Sequence, residues 1–236
     1  MKTGAIIQAR TSSTRLPGKV LKELPPTSGI TALAQVIRRV KKASNLDETI
    51  VATSTEKPDD AIVEIAQKEG AKVFRGSLHD VLSRYYSAAK KNSLDVIVRI
   101  TSDCPCIDPD IIDQVVAKHH KERADYTSNV LKKTYADGLD VEVVSFPILE
   151  KLDRSVKDAY EREHPTFHIH CNQSLFKIAD VVAVGELYAP HVRITLDTEK
   201  DYEVLSEIFA ELYPQNPYFN AKAVMKFFRG KKSAVS

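Results

Sequence analysis

Short apolar runs alternate with apolar residues at helical spacing through the first half of the chain, and this alternation restricts the fold more than any other feature. Residues 5–9 form the first run; Leu33, Val36, Ile37 and Val40 follow at helix period. Residues 49–53 are a β-branched run. Pro58-Asp59-Asp60 then opens a helix, with proline early and acids in the first turn, and Gly70 stops it. The unit repeats with residues 72–74, the stripe Val81, Leu82, Tyr85 and Ala89, residues 96–100, and a helix begun by Asp108 and Pro109. Strands joined through helices cross over right-handed, so the expected fold is α/β: a mostly parallel, twisted, Rossmann-like sheet flanked by helices. The second half is less regular. Residues 126–130, 139–144, 178–184 and 192–196 read as strands, partly antiparallel, and 199–212 and 221–228 as helices.

No repeat or Pro/Gly/Ser-rich linker interrupts the 236 residues, so one domain over 1–236 is expected, with a frayed polar tail from 229 to 236. The 34 Lys and Arg against 32 Asp and Glu leave a net charge of +2. A protein that coats nucleic acid carries a clear basic excess, so nucleic acid is not an expected partner and any anion site must be local. No apolar run nears the roughly 18 residues that span a bilayer, so no membrane partner is expected. Residues 5–7 are too short for a signal-peptide core and read as strand. Three cysteines, an odd set, point to a reducing cytoplasm.

In open parallel sheets ligands bind beyond the carboxyl ends of the strands. Those ends carry Gln8, Ala9 and Arg10; Ser54; Arg75 and Gly76; Ser102 and Asp103; and Asp197. The loop after the first strand holds Arg10, Arg15, Lys19 and Lys22 before any acid, with hydroxyls at 11–14. Cations and hydroxyls together suit a polyphosphate, and Lys19 is expected to be exposed. The loop is neither a Walker A sequence, since Val20 follows Gly18-Lys19, nor a dinucleotide fingerprint. Asp103, in the turn before Cys104-Pro105, and Asp197 are the candidate carboxylates for Mg²⁺, which takes one or two carboxylates plus phosphate oxygens. Cys104, Cys106, His168, His170 and Cys171 match no common zinc spacing and read instead as buried thiols and a strand-alternating His-x-His. Asp108-Pro109-Asp110 reads as a helix start rather than a metal-binding Asp-x-Asp.

Several stretches, in order over nearly the whole chain, resemble the cytidylyltransferase family of sugar-acid activation, in its spore coat polysaccharide biosynthesis protein F branch. They are residues 7–21 (IQARTSSTRLPGKVL), 74–77 with 80–86, 99–105 (RITSDCP), 137–143 (DGLDVEV), 162–164 and 193–198 with Asp201-Tyr202. The chain departs from that pattern at residues 25–31, a longer turn, and at Pro165.

The resemblance implies a nucleotide-diphospho-sugar transferase fold and Mg²⁺-dependent transfer of CMP from CTP to a sugar acid, releasing pyrophosphate. By motif position it implies that Arg10 and Lys19, assisted by Arg15, hold the triphosphate. Asp103 and Asp197 would hold metal, and Arg75 and Arg84 fall in the nucleotide-contacting segment with Gln8, Ala9, Ser54 and Gly76 near by. Asp137, Asp140, Glu142 and His164 would face the acceptor. It also implies a homodimer. The rival readings are a glycosyltransferase with a sugar-nucleotide donor, which needs no cationic triphosphate loop, and a non-catalytic nucleotide-binding module, which needs no pair of aspartates.

Overall fold

The computed structural model describes residues 1–233, with the side chains described through 230. In chain order the elements are β1 (Thr3–Gln8), α1 (Ala32–Val40), β2 (Glu48–Ser54), α2 (Asp60–Lys68), β3 (Lys72–Gly76), α3 (Val81–Lys91), β4 (Val96–Thr101), α4 (Pro109–Glu122), β5 (Tyr126–Ser128), β6 (Glu142–Ser145), α5 (Phe146–Ser155), α6 (Ala159–Glu163), α7 (Phe167–Cys171), β7 (Ile178–Asp180), α8 (Glu199–Leu212) and α9 (Ala221–Ser233). The strands form one seven-stranded sheet in the order β3-β2-β1-β4-β6-β5-β7. Strands β1 to β4 are mutually parallel where they pair, β6 runs antiparallel to both its neighbours, and β5 and β7 are parallel. This is the mostly parallel α/β sheet expected, with its antiparallel part in the second half.

Side chains alternate across a strand, and here both faces are buried. Ala5 and Ile7 of β1 and Val96, Val98 and Ile100 of β4 enter a core shared with α1, α2, α4, α8 and α9. Ile6 and Ile97, one residue out of phase, enter a second core with α3, α5 and Ile169 of α7. Strands buried on both faces read as continuous apolar runs, which is why β1, β2 and β4 were plain in the sequence. Asp108 caps α4 through the Asp110 N–H and also accepts from Ala221 N at 2.6 Å, tying the start of α9 to the start of α4.

Four local expectations are corrected. Residues 192–196 are not a strand: they lie extended, with one isolated bridge, Asp137 to Arg193. The His-x-His segment is helix α7, not strand, and turns His168 to Glu161 but His170 to Glu142. The strands at 126–130, 139–144 and 178–184 shrink to β5, β6 and β7. Helix α9 runs to Ser233, past its expected end at 228, and residues 234–236 lie outside the described residues. Among the described residues no helix is long and apolar enough to cross a membrane.

Candidate active site

The loop after β1 is pinned from both sides. Thr11 donates its N–H and its hydroxyl to Asp59 at 2.8 and 2.7 Å, and Ser54 also donates its hydroxyl to Asp59. Asp59, buried at the start of α2, thus gives its carboxylate to the loop rather than to its own helix end. Burial opposes its ionisation, but the Ser54 and Thr11 bonds outweigh that and hold it below the usual carboxylate range. Further along, Leu16 and Val20 bury into the core. Gly18 takes φ +67 between them, a left-handed conformation that costs glycine little. The buried neighbour and the turn aim Lys19 inward: its side chain is only 12% exposed, contrary to the expected solvent-facing position.

The Lys19 ammonium lies 2.8 Å from Asp103 and 2.8 Å from Asp197. Asp103 sits in the turn after β4. Asp197 reaches the same place because Leu196 donates its N–H to the Asp103 carbonyl at 2.8 Å, and because Gly138 lets residues 137–140 close on the 194 segment. Gly138 has φ +109, and a Cβ there would stand 2.8 Å from backbone atoms of Ile194. The extended 192–197 segment therefore delivers Asp197 to the sheet edge without being a strand. Asp197 also pairs with Arg15 at 2.8 Å and with Arg193, which bridges on to Asp137. Burial opposes its charge, but Lys19, Arg193 and Arg15 outweigh it and hold its carboxyl below the usual range. For Lys19, burial is likewise outweighed, by Asp103 and Asp197, and its pKa is raised.

Arg15, Lys19, Asp103 and Asp197 line one lobe, of about 320 Å³, of a two-lobed cleft at the carboxyl ends of β1 and β4. Gln8, Ala9, Arg10, Arg84 and Glu163 complete its wall. A second lobe of about 280 Å³ is lined by Asp140, Glu142, Tyr160, Phe167 and His170. Arg99, Thr101 and His164 line both, so the lobes adjoin. The antiparallel register sets Arg99 of β4 opposite Glu142 of β6, and the half-buried Arg99 forms an ion pair with the buried Glu142. Glu142 also accepts from Tyr126 and meets His170 at 3.1 Å. Burial works against its charge, but Arg99 leads the groups that drive the carboxyl far below its ordinary range. Arg162 binds Asp80 and Asp153, both at 2.8 Å, and so fixes the end of α6 that presents Glu163 and His164. Arg10 meets Glu163 at 3.3 Å.

The structure gathers Gln8, Ala9, Arg10, Arg15, Lys19, Arg84, Asp103, Asp140, Glu142, His164 and Asp197 around the cleft. It leaves four expected residues out of the lining. Ser54 is buried on Asp59. Arg75 turns away to Asp60, the Ser54 carbonyl and the Glu56 carbonyl. Gly76 packs on Arg84, and Asp137 is held by Arg193. Sequence reading assigned no role to Arg99, Thr101, Glu163, Tyr160 or His170, which the structure adds. An arginine inside the apolar run of β4 was a signal for Arg99, and Thr101 is the last residue of that strand; Glu163, Tyr160 and His170 are carried to the cleft by α6 and α7.

Among the described residues no group of three or more His, Cys, Asp or Glu is gathered as a metal cage. Cys104 and Cys106 are buried, and burial raises both thiols, Cys106 to about 12, which favours the neutral thiol. Asp103 and Asp197 present hard carboxylate oxygens close enough to share one ammonium, which suits a small hard cation that takes its remaining ligands from substrate.

The family described as Cytidylyltransferase matches residues 4–226 of the chain. The protein MJ1063 of Methanocaldococcus jannaschii is 43% identical over 208 residues, 88% of this chain and 83% of that protein. The spore coat polysaccharide biosynthesis protein SpsF of Bacillus subtilis is 34% identical over 210 residues, 86% and 85% of the two chains. A cytidylyltransferase structure from Leptospira borgpetersenii serovar Hardjo-bovis superposes with a TM-score of 0.91 at 36% identity, over 99% of this chain and 96% of that one. With a cationic loop and paired aspartates at the carboxyl edge of the sheet, the chain belongs to the cytidylyltransferase family and is a nucleotidyltransferase.

Proposed function

We propose that the cleft transfers CMP from CTP to a sugar acid or related acceptor, releasing pyrophosphate, as a step in surface glycan or polysaccharide synthesis. The observation that carries the reading is the convergence of Arg10, Arg15 and Lys19 with Asp103 and Asp197 in one lobe, beside a second lobe large enough for a sugar. A donor with one phosphate fewer would leave that many cations underused, which favours a triphosphate over a sugar nucleotide.

In this reading the nucleotide fills the first lobe and the acceptor the second. An acceptor oxygen attacks the α-phosphorus in line, and the bond to the bridging oxygen of pyrophosphate breaks. Lys19, Arg10 and Arg15 hold the triphosphate and stabilise charge on the leaving group. Arg84, buried with its Nη1 on the Ser77 carbonyl at 2.6 Å, orients the nucleotide end of the lobe. Asp103 and Asp197 would hold Mg²⁺, which when bound neutralises charge on the transferring phosphate. Glu142, Asp140 and His164 face the acceptor. A second copy of the chain covers the exposed Val182, Val184 and Tyr188, and three free cysteines suit a reducing cytoplasm.

The test is thermal melting with Mg²⁺ and each of CTP, UTP, ATP and GTP, followed by pyrophosphate release with a panel of sugar acids. Ligand at about 100 times its Kd adds about 2.7 kcal/mol to native-state stability, so CTP should give the largest rise. A larger rise with a purine nucleotide, or none with any, overturns the CTP reading.

A further inference from the structure

Five acids line the two lobes of the cleft, and four are neutralised by a cation within the fold. Asp103 and Asp197 share Lys19, Glu163 has Arg10, and Glu142 has Arg99. Asp140 is the exception: among the described residues it forms no ion pair. It is half-buried, two residues before Glu142, and lines the second lobe together with Arg99 and Thr101, which also line the first. We propose that Asp140 is the general base that takes the proton from the attacking acceptor hydroxyl. The inference rests on the nucleotidyl-transfer reading and adds to it a proton acceptor supplied by the protein.

The acceptor oxygen forms its bond to the α-phosphorus, its proton passes to the Asp140 carboxylate, and pyrophosphate leaves with the electrons of the broken P–O bond. Asp140 then returns the proton to solvent. The groups around it explain why it, rather than Glu142, suits the task. Arg99 on β4 spends its charge on Glu142, while Asp137 in the same loop is carried off by Arg193. Cys104, after β4, is a neutral thiol, and His164 and His170 from the α6–α7 region line the lobe, His170 already engaged with Glu142 and Tyr126. Burial, then the negative charges of Asp137 and Glu142, push the Asp140 carboxyl up to about 7, opposed by the Gly138 N–H and by Arg99. A base is most effective when its pKa lies near the working pH. Glu142, held far below its ordinary range, would be too weak a base.

The experiment compares wild type with Asp140→Asn and Asp140→Glu. Pyrophosphate release from CTP and Mg²⁺ is followed from about pH 5.5 to 9 with 3-deoxy-manno-octulosonate, with N-acetylneuraminate, and with water as the only acceptor. CTP-induced melting shifts and ¹³C carboxyl titration of aspartate-labelled protein are measured alongside. The expected wild-type kcat rises with pH through a limb near 7 to a plateau. Asp140→Asn should lower kcat by about 10²- to 10⁴-fold, abolish the limb, remove one carboxyl resonance titrating near 7, and leave the CTP melting shift intact. Asp140→Glu should recover part of kcat together with a displaced limb. A limb and a kcat that survive Asp140→Asn, or a loss confined to KM, overturn the general base while leaving nucleotidyl transfer standing. A wild type that is not stabilised by CTP, or that releases no pyrophosphate with either sugar or with water, overturns the nucleotidyl-transfer reading and this role with it.

Discussion

Replacing Lys19 with methionine keeps the aliphatic stem and removes the ammonium that joins Asp103 to Asp197. Two charge-assisted hydrogen bonds of 2.8 Å disappear, and the lysine and Asp197 side chains are only 12% and 11% exposed. Hydrogen bonds to charged groups contribute roughly 1.5–3 kcal/mol each. Asp197 keeps Arg15 and Arg193, and Asp103 is 28% exposed and can recover water. The net cost is therefore nearer the value of one bond, about 2 kcal/mol, which for a chain of this size lowers Tm by roughly 4–8 °C. The pH dependence has a definite sign. Asp197 has a depressed carboxyl, so its stabilisation is present above the ordinary value of 3.8 and is lost as pH falls through the lower folded value. Lys19 is raised above 10.5, so its share is present below that and is lost as pH climbs past it. Calorimetry should thus show the full difference between wild type and K19M near neutrality, shrinking as the pH drops below about 4. Pyrophosphate release should slow by about 10²- to 10³-fold, the usual cost of one transition-state donor. Equal melting at neutral pH together with an unchanged rate would refute both the bridging of Asp103 and Asp197 by Lys19 and the triphosphate role.

Breaking the Arg99–Glu142 pair by R99M should cost about 3–5 kcal/mol in denaturant unfolding, because Glu142 is left buried without its cation, and E142Q should cost less, because Arg99 lines the cleft and can meet water; the R99M/E142Q double variant should be less destabilised than the sum of the two. Asp103→Asn and Asp197→Asn should each lower turnover by about 10²- to 10⁴-fold, with the pair far from additive; wild-type rates across a Mg²⁺ titration would sink the shared-cation assignment. Arg75→Ala should leave the CTP melting shift unchanged, since its guanidinium faces Asp60 and two carbonyls outside the cleft; a lost shift would place it in the nucleotide site after all. Gly138→Ala should lower activity as well as stability, by about 1–3 kcal/mol for the strained backbone, because its Cβ would push the Ile194 segment and hence Asp197; a crystal structure of the variant with Asp197 unmoved would contradict this.

Local periodicity was enough to read β1, β2, β4, α1 and α4, because a strand buried on both faces, and a helix with one buried stripe, write their environment directly into residue order. The cationic loop was legible for a similar reason: its residues are contiguous, and their chemistry does not depend on what they meet. Sequence alone could not decide that Lys19 turns inward, since that follows from Val20 and Leu16 burying on either side of Gly18. Nor could it tell that Arg75 turns to Asp60, because a guanidinium at a strand end looks the same whatever it meets. Asp197 reached its place for a reason other than the one expected: a hydrogen bond from Leu196 to the Asp103 carbonyl, across more than ninety residues of chain, does what a strand was expected to do. The second lobe belongs to the tertiary structure almost entirely. Arg99 and Glu142 become partners through the β4–β6 register, and Tyr160, His164 and His170 join them only when two five-residue helices, too short to show a period, fold over the sheet edge. Contacts between residues distant in sequence leave no periodic trace in it, so the elements were visible early, while the pairing of charges that sets the chemistry was decided by packing.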